Sequence, residues 1–300
     1  MDVGLVERER ARVLAVLPGA ELEHVGAASV VELVLVVDDP ADEASYVPAL
    51  EVAGFRVSVR ESWHEHRVLT RPGVEVHVHP RGCAVVWRRL LLRDWLRDNP
   101  GDRGPGGELE VLERAWAAVP EEPAEVEFVT QAPPHNAPIV LAEYDPAWPG
   151  WYAAEEAKIR AALGERVVRV EHCGSTSVPG LAAKPLIDIV LVVPDSRDED
   201  AYVPALVEAG YYLWAREPGW FEHRLLKGAV PNVNMHVFSP WCVEVDRMLA
   251  FRDRLRSHDA DREEYERVKR ELAVRTWERV QDYADAKTRV VRRITLRALG

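Results

Sequence analysis

Cysteine is scarce in this chain of 300 residues: Cys83, Cys173 and Cys242 are all it has. An odd number without C-x-x-C spacing excludes a disulfide framework and a thiolate zinc site, and reads as reduced thiols. Long apolar runs are also missing, and no stretch approaches the roughly 20 residues that span a bilayer. The first residues lead into Glu7-Arg8-Glu9-Arg10 instead of the apolar core of a signal peptide. A cytoplasmic protein with no membrane partner is expected. Positive charge is short too: 38 Lys and Arg face 50 Asp and Glu, for a net charge of -12. Nucleic-acid binding needs clustered cations, and no basic stripe with interleaved aromatics marks a polymerase-like channel. A nucleic-acid partner is therefore not expected, whereas a local basic pocket for a nucleotide is compatible with this balance.

The remainder is ordinary globular material, 47% hydrophobic and 29% charged. It suffices for two domains of about 150 residues, each with its own core. The chain also repeats itself. YVPALEVAG at 46–54 returns as YVPALVEAG at 202–210, and VELVLVV at 31–37 as IDIVLVV at 187–193. Trp63-His64-Glu65-His66-Arg67 matches Trp220-Phe221-Glu222-His223-Arg224. Val76-His77-Val78 matches Met235-His236-Val237, and LLLRDWLR at 90–97 matches LAFRDRLR at 249–256. The register jumps once: about eight residues are missing from the first copy between Gly26 and Glu32. The missing piece corresponds to a Gly/Ser/Lys loop. Proline-rich residues between the copies read as an extended linker. The expected organisation is a first domain at 1–120, a linker at 121–138 and a second domain at 139–300.

In the second copy, 167–174 and 185–193 read as strands, the latter apolar enough to be covered on both faces apart from Asp188. Residues 211–216 and 222–227 read as paired strands around Glu217-Pro218-Gly219. The alternation in 232–238 puts Asn234, His236 and Phe238 on one face. From Cys242 onward the pattern is helical. Each copy is expected to be a small mixed sheet with helices packed against it.

The chemistry concentrates in His172-Cys173-Gly174-Ser175-Thr176-Ser177, Lys184 and Asp188. A Gly-Ser pair after a strand frees backbone N–H groups and hydroxyls for phosphate, and an acidic residue on the next strand can hold a divalent ion against it. Such a site supports attack on the α-phosphate of a nucleoside triphosphate. Gly174, Ser175, Thr176, Ser177 and Lys184 are the candidate phosphate ligands, and Asp188 and His236 the candidate metal ligands. Lys184, Asp188, His223 and Arg224 are the candidate catalytic residues, the last two toward the acceptor. Each has a structural counter-reading. Ser175 and Ser177 suit helix capping, Lys184 suits an ion pair with Asp188, and His236 suits a satisfied core histidine. Glu222-His223-Arg224 suits a solvated strand face, and Arg252, Lys269 and Lys287 suit surface i,i+4 pairs.

Gly-Ser, about a dozen residues and then an acidic strand resembles the nucleotidyltransferase superfamily signature. The string HCGSTSVPGLAAKPLIDIVLVV at 172–193 is similar to the GrpB family. So are EYDPAWP at 143–149, FEHRLL at 221–226, NMHVF at 234–238 and the helical tail at 251–273. The resemblance covers 139–300 and extends more weakly over 20–97. It implies an α/β (α+β) fold of two tandem nucleotidyltransferase-like domains, the first degenerate and non-catalytic, expected to pair as an intramolecular pseudo-dimer. The family's activity is poorly defined, and it is the site residues that suit an NTP and a small-molecule acceptor as substrates, for nucleotidyl transfer or carboxylate adenylation and ligation. The superfamily pattern wants a second carboxylate two residues after the first, where this chain has Val190, and a third where it has Asn234 or His236. A mixed Asp188/His236 site would hold one ion, Mg2+, Mn2+ or Zn2+, with imidazole favouring the borderline metals. The competing reading is a non-catalytic nucleotide- or metal-binding scaffold. The first copy keeps Glu32 and His77, a metal-binding pair, but lacks the phosphate loop.

Overall fold

A computed structural model describes residues 3–25, 30–61, 65–102, 107–119, 126–130, 139–277 and 280–300. Gly26-Ala27 of the first copy, the pair Trp63-His64 and most of the expected linker lie outside them. The chain divides into two compact units, residues 1–116 and 117–300. Among the described residues no helix is long and apolar enough to cross a membrane.

The first unit runs α1 (Val3–Val16), β1 (Glu21–His24), β2 (Val31–Val37), α2 (Val47–Val52), β3 (Arg56–Arg60), β4 (Arg67–Arg71), β5 (Val74–Pro80), α3 (Ala84–Asp98) and α4 (Glu108–Ala118). Its sheet has the order β1-β2-β5-β4-β3, parallel only between β2 and β5. The second unit runs β6 (Glu127–Phe128), α5 (Trp148–Leu163), β7 (Arg169–Cys173), β8 (Ile187–Val192), α6 (Val203–Glu208), β9 (Tyr211–Glu217), β10 (His223–Gly228), β11 (Val233–Phe238), α7 (Val243–Ser257), α8 (Asp259–Ala273), α9 (Val280–Asp285) and α10 (Thr288–Ala298). Its sheet, β6-β9-β10-β11-β8-β7, repeats the first order with one strand added. Part of the expected linker is thus structural: β6 pairs with the outer edge of β9, where Arg216 bonds Glu127 at 2.8 Å.

The duplication extends to individual hydrogen bonds. The sheets share a bulge, at Ser58 and at Trp214, where the register skips one residue. Tyr46 donates its hydroxyl to the Pro40 carbonyl, and Tyr202 to that of Ser196. Arg93 ties α3 to Glu23 and the His24 carbonyl, as Arg252 ties α7 to Glu171 and the His172 carbonyl. Glu43 is gripped by Arg60 and Arg67, and Glu199 by Arg216 and Arg224.

Strand β8 is apolar on both faces because both are covered. Ile187, Ile189 and Leu191 join the core beneath α5 and α6, with Trp148, Ile159, Leu163 and Leu206. Val190 and Val192 pack on the other face with Cys173, Phe238 and the α7 residues Val245 and Leu249. Asp188 shares this second face by the two-residue period of a strand, at the end nearest the loop after β7. That loop is packed in turn: Val178 and Leu181 are buried against Leu255, Tyr265, Val290 and Ile294 of α7, α8 and α10. The segment with no counterpart in the first copy is therefore roofed by helices from the far end of the chain.

Candidate functional site

The site begins at the turn after β7. Gly174 has φ +68°, a left-handed conformation that side chains disfavour. A Cβ there would lie within 2.8 Å of Asp188 Cγ, so glycine is what lets the turn close onto the carboxylate. Ser175–Ser177 then form a single 3-10 turn. Ser177 donates its hydroxyl to the Gly174 carbonyl at 2.6 Å. Thr176 donates to the Leu186 carbonyl at 2.9 Å and lies 3.1 Å from His172 Nε2. These two hydroxyls, expected as phosphate ligands, instead close the turn: both residues are buried, and a buried hydroxyl must find a local partner. Ser175 differs, for its Oγ accepts a hydrogen bond from Lys269 Nζ at 3.1 Å.

Lys269 was expected as a surface residue. It is 2% exposed, points inward from α8, and also donates to the Ala182 carbonyl. Lys287 and Lys184 stand over the Tyr283 ring, 4.4 and 5.4 Å from its centroid, and Lys269 stands 4.9 Å over that of Tyr265. Burial lowers the pKa of all three lysines, Lys269 to about 7, and mutual repulsion with Lys287 lowers Lys184 and Lys269 further. Asp188 opposes the shift in each of the three. Glu266 adds to it at Lys269 alone, so three desolvated lysines share little negative charge, an imbalance that a polyanion would correct. The whole chain has five lysines, all after residue 157. The first copy has none.

Asp188 is partly exposed and lies beside β11, where Asn234 Nδ2 donates to its Oδ1 at 3.3 Å and His236 Nε2 stands 3.8 Å away. Behind His236 a relay runs inward: His223 Nε2 lies 3.1 Å from His236 Nδ1, and His223 Nδ1 lies 2.6 Å from Glu217 Oε2. Burial holds His223 down to about 4, so its ring is neutral at neutral pH. With Nδ1–H donated to Glu217, His223 Nε2 is an acceptor and takes the proton of His236 Nδ1. His236 Nε2 is then the ring nitrogen turned toward Asp188, and it is the lone pair on this nitrogen that a cation between the two would use. Asp188 and His236 fit one divalent ion. They do not fit two, because Val190, at the position of a second carboxylate, is fully buried beneath α7. Glu244 of α7, which sequence reasoning passed over, is a further carboxylate here. Burial raises its pKa, Arg247 holds it at 3.1 Å, and its charge couples to His236.

His223 and Arg224 were expected to meet an acceptor. Both are buried instead. Arg224 donates to Glu199 at 2.6 Å and to the Glu222 carbonyl at 3.0 Å. Alternation puts them on the strand, but Glu199 takes up the Nε donor of Arg224 and Glu222 its Nη donors. Arg252 is buried too, bound to Glu171 and the His172 carbonyl. The metal-binding pair expected in the first copy is also altered, because Arg89 Nη1 stands 3.8 Å from Glu32 and its charge acts on His77.

The sequence profile described as GrpB protein matches residues 4–105 and 138–297. A UPF0157 protein of Halalkalibacterium halodurans is 54% identical over 183 residues, 60% of this chain and 94% of that protein. One of Streptomyces coelicolor is 46% identical over 165 residues, covering 55% and 87%. The crystal structure of the protein GrpB from Enterococcus faecalis is similar at 30% identity, covering 53% of this chain and 97% of that one, with a TM-score of 0.43.

Proposed function

Since the chain belongs to the GrpB family, we propose that its second unit binds a nucleoside triphosphate and transfers its nucleotidyl group to a small acceptor, or adenylates a carboxylate for ligation. The observation that carries this reading is the convergence of Lys184, Lys269 and Lys287 on Asp188 beside the Ser175 turn. Three buried lysines brought together favour losing a proton unless an anion lies among them, and a triphosphate supplies the charge in one piece. In this reading Ser175 and the three lysines hold the phosphates, and Asp188 and His236 hold one Mg2+, Mn2+ or Zn2+ ion. The ion would neutralise charge at the α-phosphate. His223 and Glu217 orient His236 without touching substrate, and Arg224 braces the strand.

A second reading has a specific observation in its favour. The burial of Val190 removes the two-metal arrangement, which suits a module that binds a nucleotide without turning it over. Titration calorimetry with ATP, CTP, GTP and UTP, in Mg2+, Mn2+ or Zn2+ and then in chelator, tests both readings. One metal-dependent site per chain is the expected result, and product formation with an added acceptor separates enzyme from sensor. No binding of any triphosphate under any metal would overturn both.

A further inference from the structure

Among the described residues, the first unit holds a cluster that the second lacks. One nitrogen from each of His66, His77 and His79 lies within 4.8 Å of the other two. His66 and His77 correspond to His223 and His236, but His79 stands where the second copy has Phe238, a fully buried ring. His79 is 1% exposed and His77 is 8% exposed. Putting an imidazole where its duplicate has phenyl costs desolvation unless the ring is used. A decaying copy would be expected to have fewer buried polar groups, and at this position it has one more than its duplicate.

We infer that His66, His77 and His79 form a site for one borderline transition-metal ion, such as Zn2+, in the first unit. His66 Nε2 and His77 Nδ1 are 3.2 Å apart, close to the roughly 3.4 Å between two nitrogens that share a tetrahedral zinc. The outer nitrogens of the same rings face carboxylates: His66 Nδ1 lies 2.9 Å from Glu61 and His77 Nε2 lies 3.4 Å from Glu75. Carboxylates behind ligating imidazoles fix their tautomers and raise their basicity. The contact between His66 Nε2 and His77 Nδ1 needs one proton to be a hydrogen bond, and His77 Nε2 is buried without a hydrogen-bond partner. An ion replacing that proton moves it to Nε2, where Glu75 can accept it. No charge is lost from the ligand set and the orphan atom is satisfied. Cys83 Sγ, 3.8 Å from His79 Nδ1, adds soft character that disfavours Mg2+ and Ca2+. Two features oppose binding. Arg89 brings positive charge toward His77, although it also leans on Glu32. The rings are stacked, His66 over His79 at 4.4 Å, and must turn toward a common point to ligate.

The test uses the full chain carrying Asp188→Ala and His236→Ala, which removes the site of the second unit. After chelation, Zn2+ and Co2+ are titrated alone. One equivalent should bind, with visible absorption of tetrahedral cobalt, and Zn2+ should raise the melting temperature. Adding His79→Phe, which installs the residue of the other copy, should weaken binding at least about 100-fold and abolish the thermal shift, as loss of one ligand in three predicts. Absence of binding before that change, or undiminished binding after it, overturns the site. Neither result bears on nucleotide binding by the second unit.

Discussion

Lys269 and Ser175 are 94 positions apart in the chain, and the ammonium group of one lies 3.1 Å from the hydroxyl of the other. This contact joins the phosphate-type turn to the helical tail. It also places on the site a basic group whose pKa burial has brought down to about 7.

The pH dependence of Lys269 has a defined sign. In the unfolded chain it titrates near 10.5. Between pH 7 and that value the unfolded chain holds the proton and the folded chain does not. Its contribution to stability therefore rises with pH across the window, and the full penalty of burying the charge is present below pH 7. A polyphosphate beside it restores the proton. Calorimetry at pH 8 in buffers of different ionisation enthalpy should thus register proton uptake on nucleotide binding. Lys269→Met should remove the uptake and weaken binding about 10- to 100-fold, the worth of a hydrogen bond to a charged group. Proton release in the unaltered protein would show that Lys269 does not face the phosphates.

Gly174→Ala should destabilise the second unit by about 1–2 kcal/mol through its left-handed backbone alone, and more through displacement of Asp188. Chemical denaturation measures the loss. An unchanged midpoint with intact nucleotide binding would mean that the turn has room that the φ of +68° and the Asp188 contact deny.

Glu217→Met should lower the Mn2+ affinity of the nucleotide-bound second unit about 10- to 100-fold, because the tautomer of His236 is no longer imposed. Glu61→Met, the same change in the first copy, should leave that affinity alone. Equal effects would sever the link between the relay and the ion.

Asp188→Ala should abolish metal-dependent nucleotide binding, and Glu32→Ala should spare it. Equal losses would show that the first copy takes part directly.

Arg224→Ala should cost about 1.5–3 kcal/mol, the worth of a hydrogen bond to a charged group, because Glu199 keeps Arg216, and Arg67→Ala should act in the same direction on the first unit. Thermal melts decide this. If Arg224→Ala melts normally and loses only turnover, Arg224 meets the acceptor after all.

The sequence by itself determined what depends on local pattern. The duplication is visible as near-identity. The β8 strand is legible from an apolar run broken by Asp188, and β11 from strict alternation, because a strand's two-residue period writes its faces into the chain. The glycine-serine turn and its spacing to Asp188 are equally local. What the tertiary structure decided depends on which face of a charged element turns inward. Helix α8 puts Lys269 on one stripe with Tyr265 and Leu272, but the pattern does not say what that stripe meets, and α10 and Tyr283 must fold back before Lys184 and Lys287 become neighbours. The same holds for Arg224, which reads as a surface cation until Glu199 and Glu222 take up its donors, and for Thr176, whose hydroxyl looks available until the Leu186 carbonyl arrives. His79 marks the limit most clearly. On the chain it is one histidine two positions from another, and only pairing of β4 with β5 brings His66 beside both.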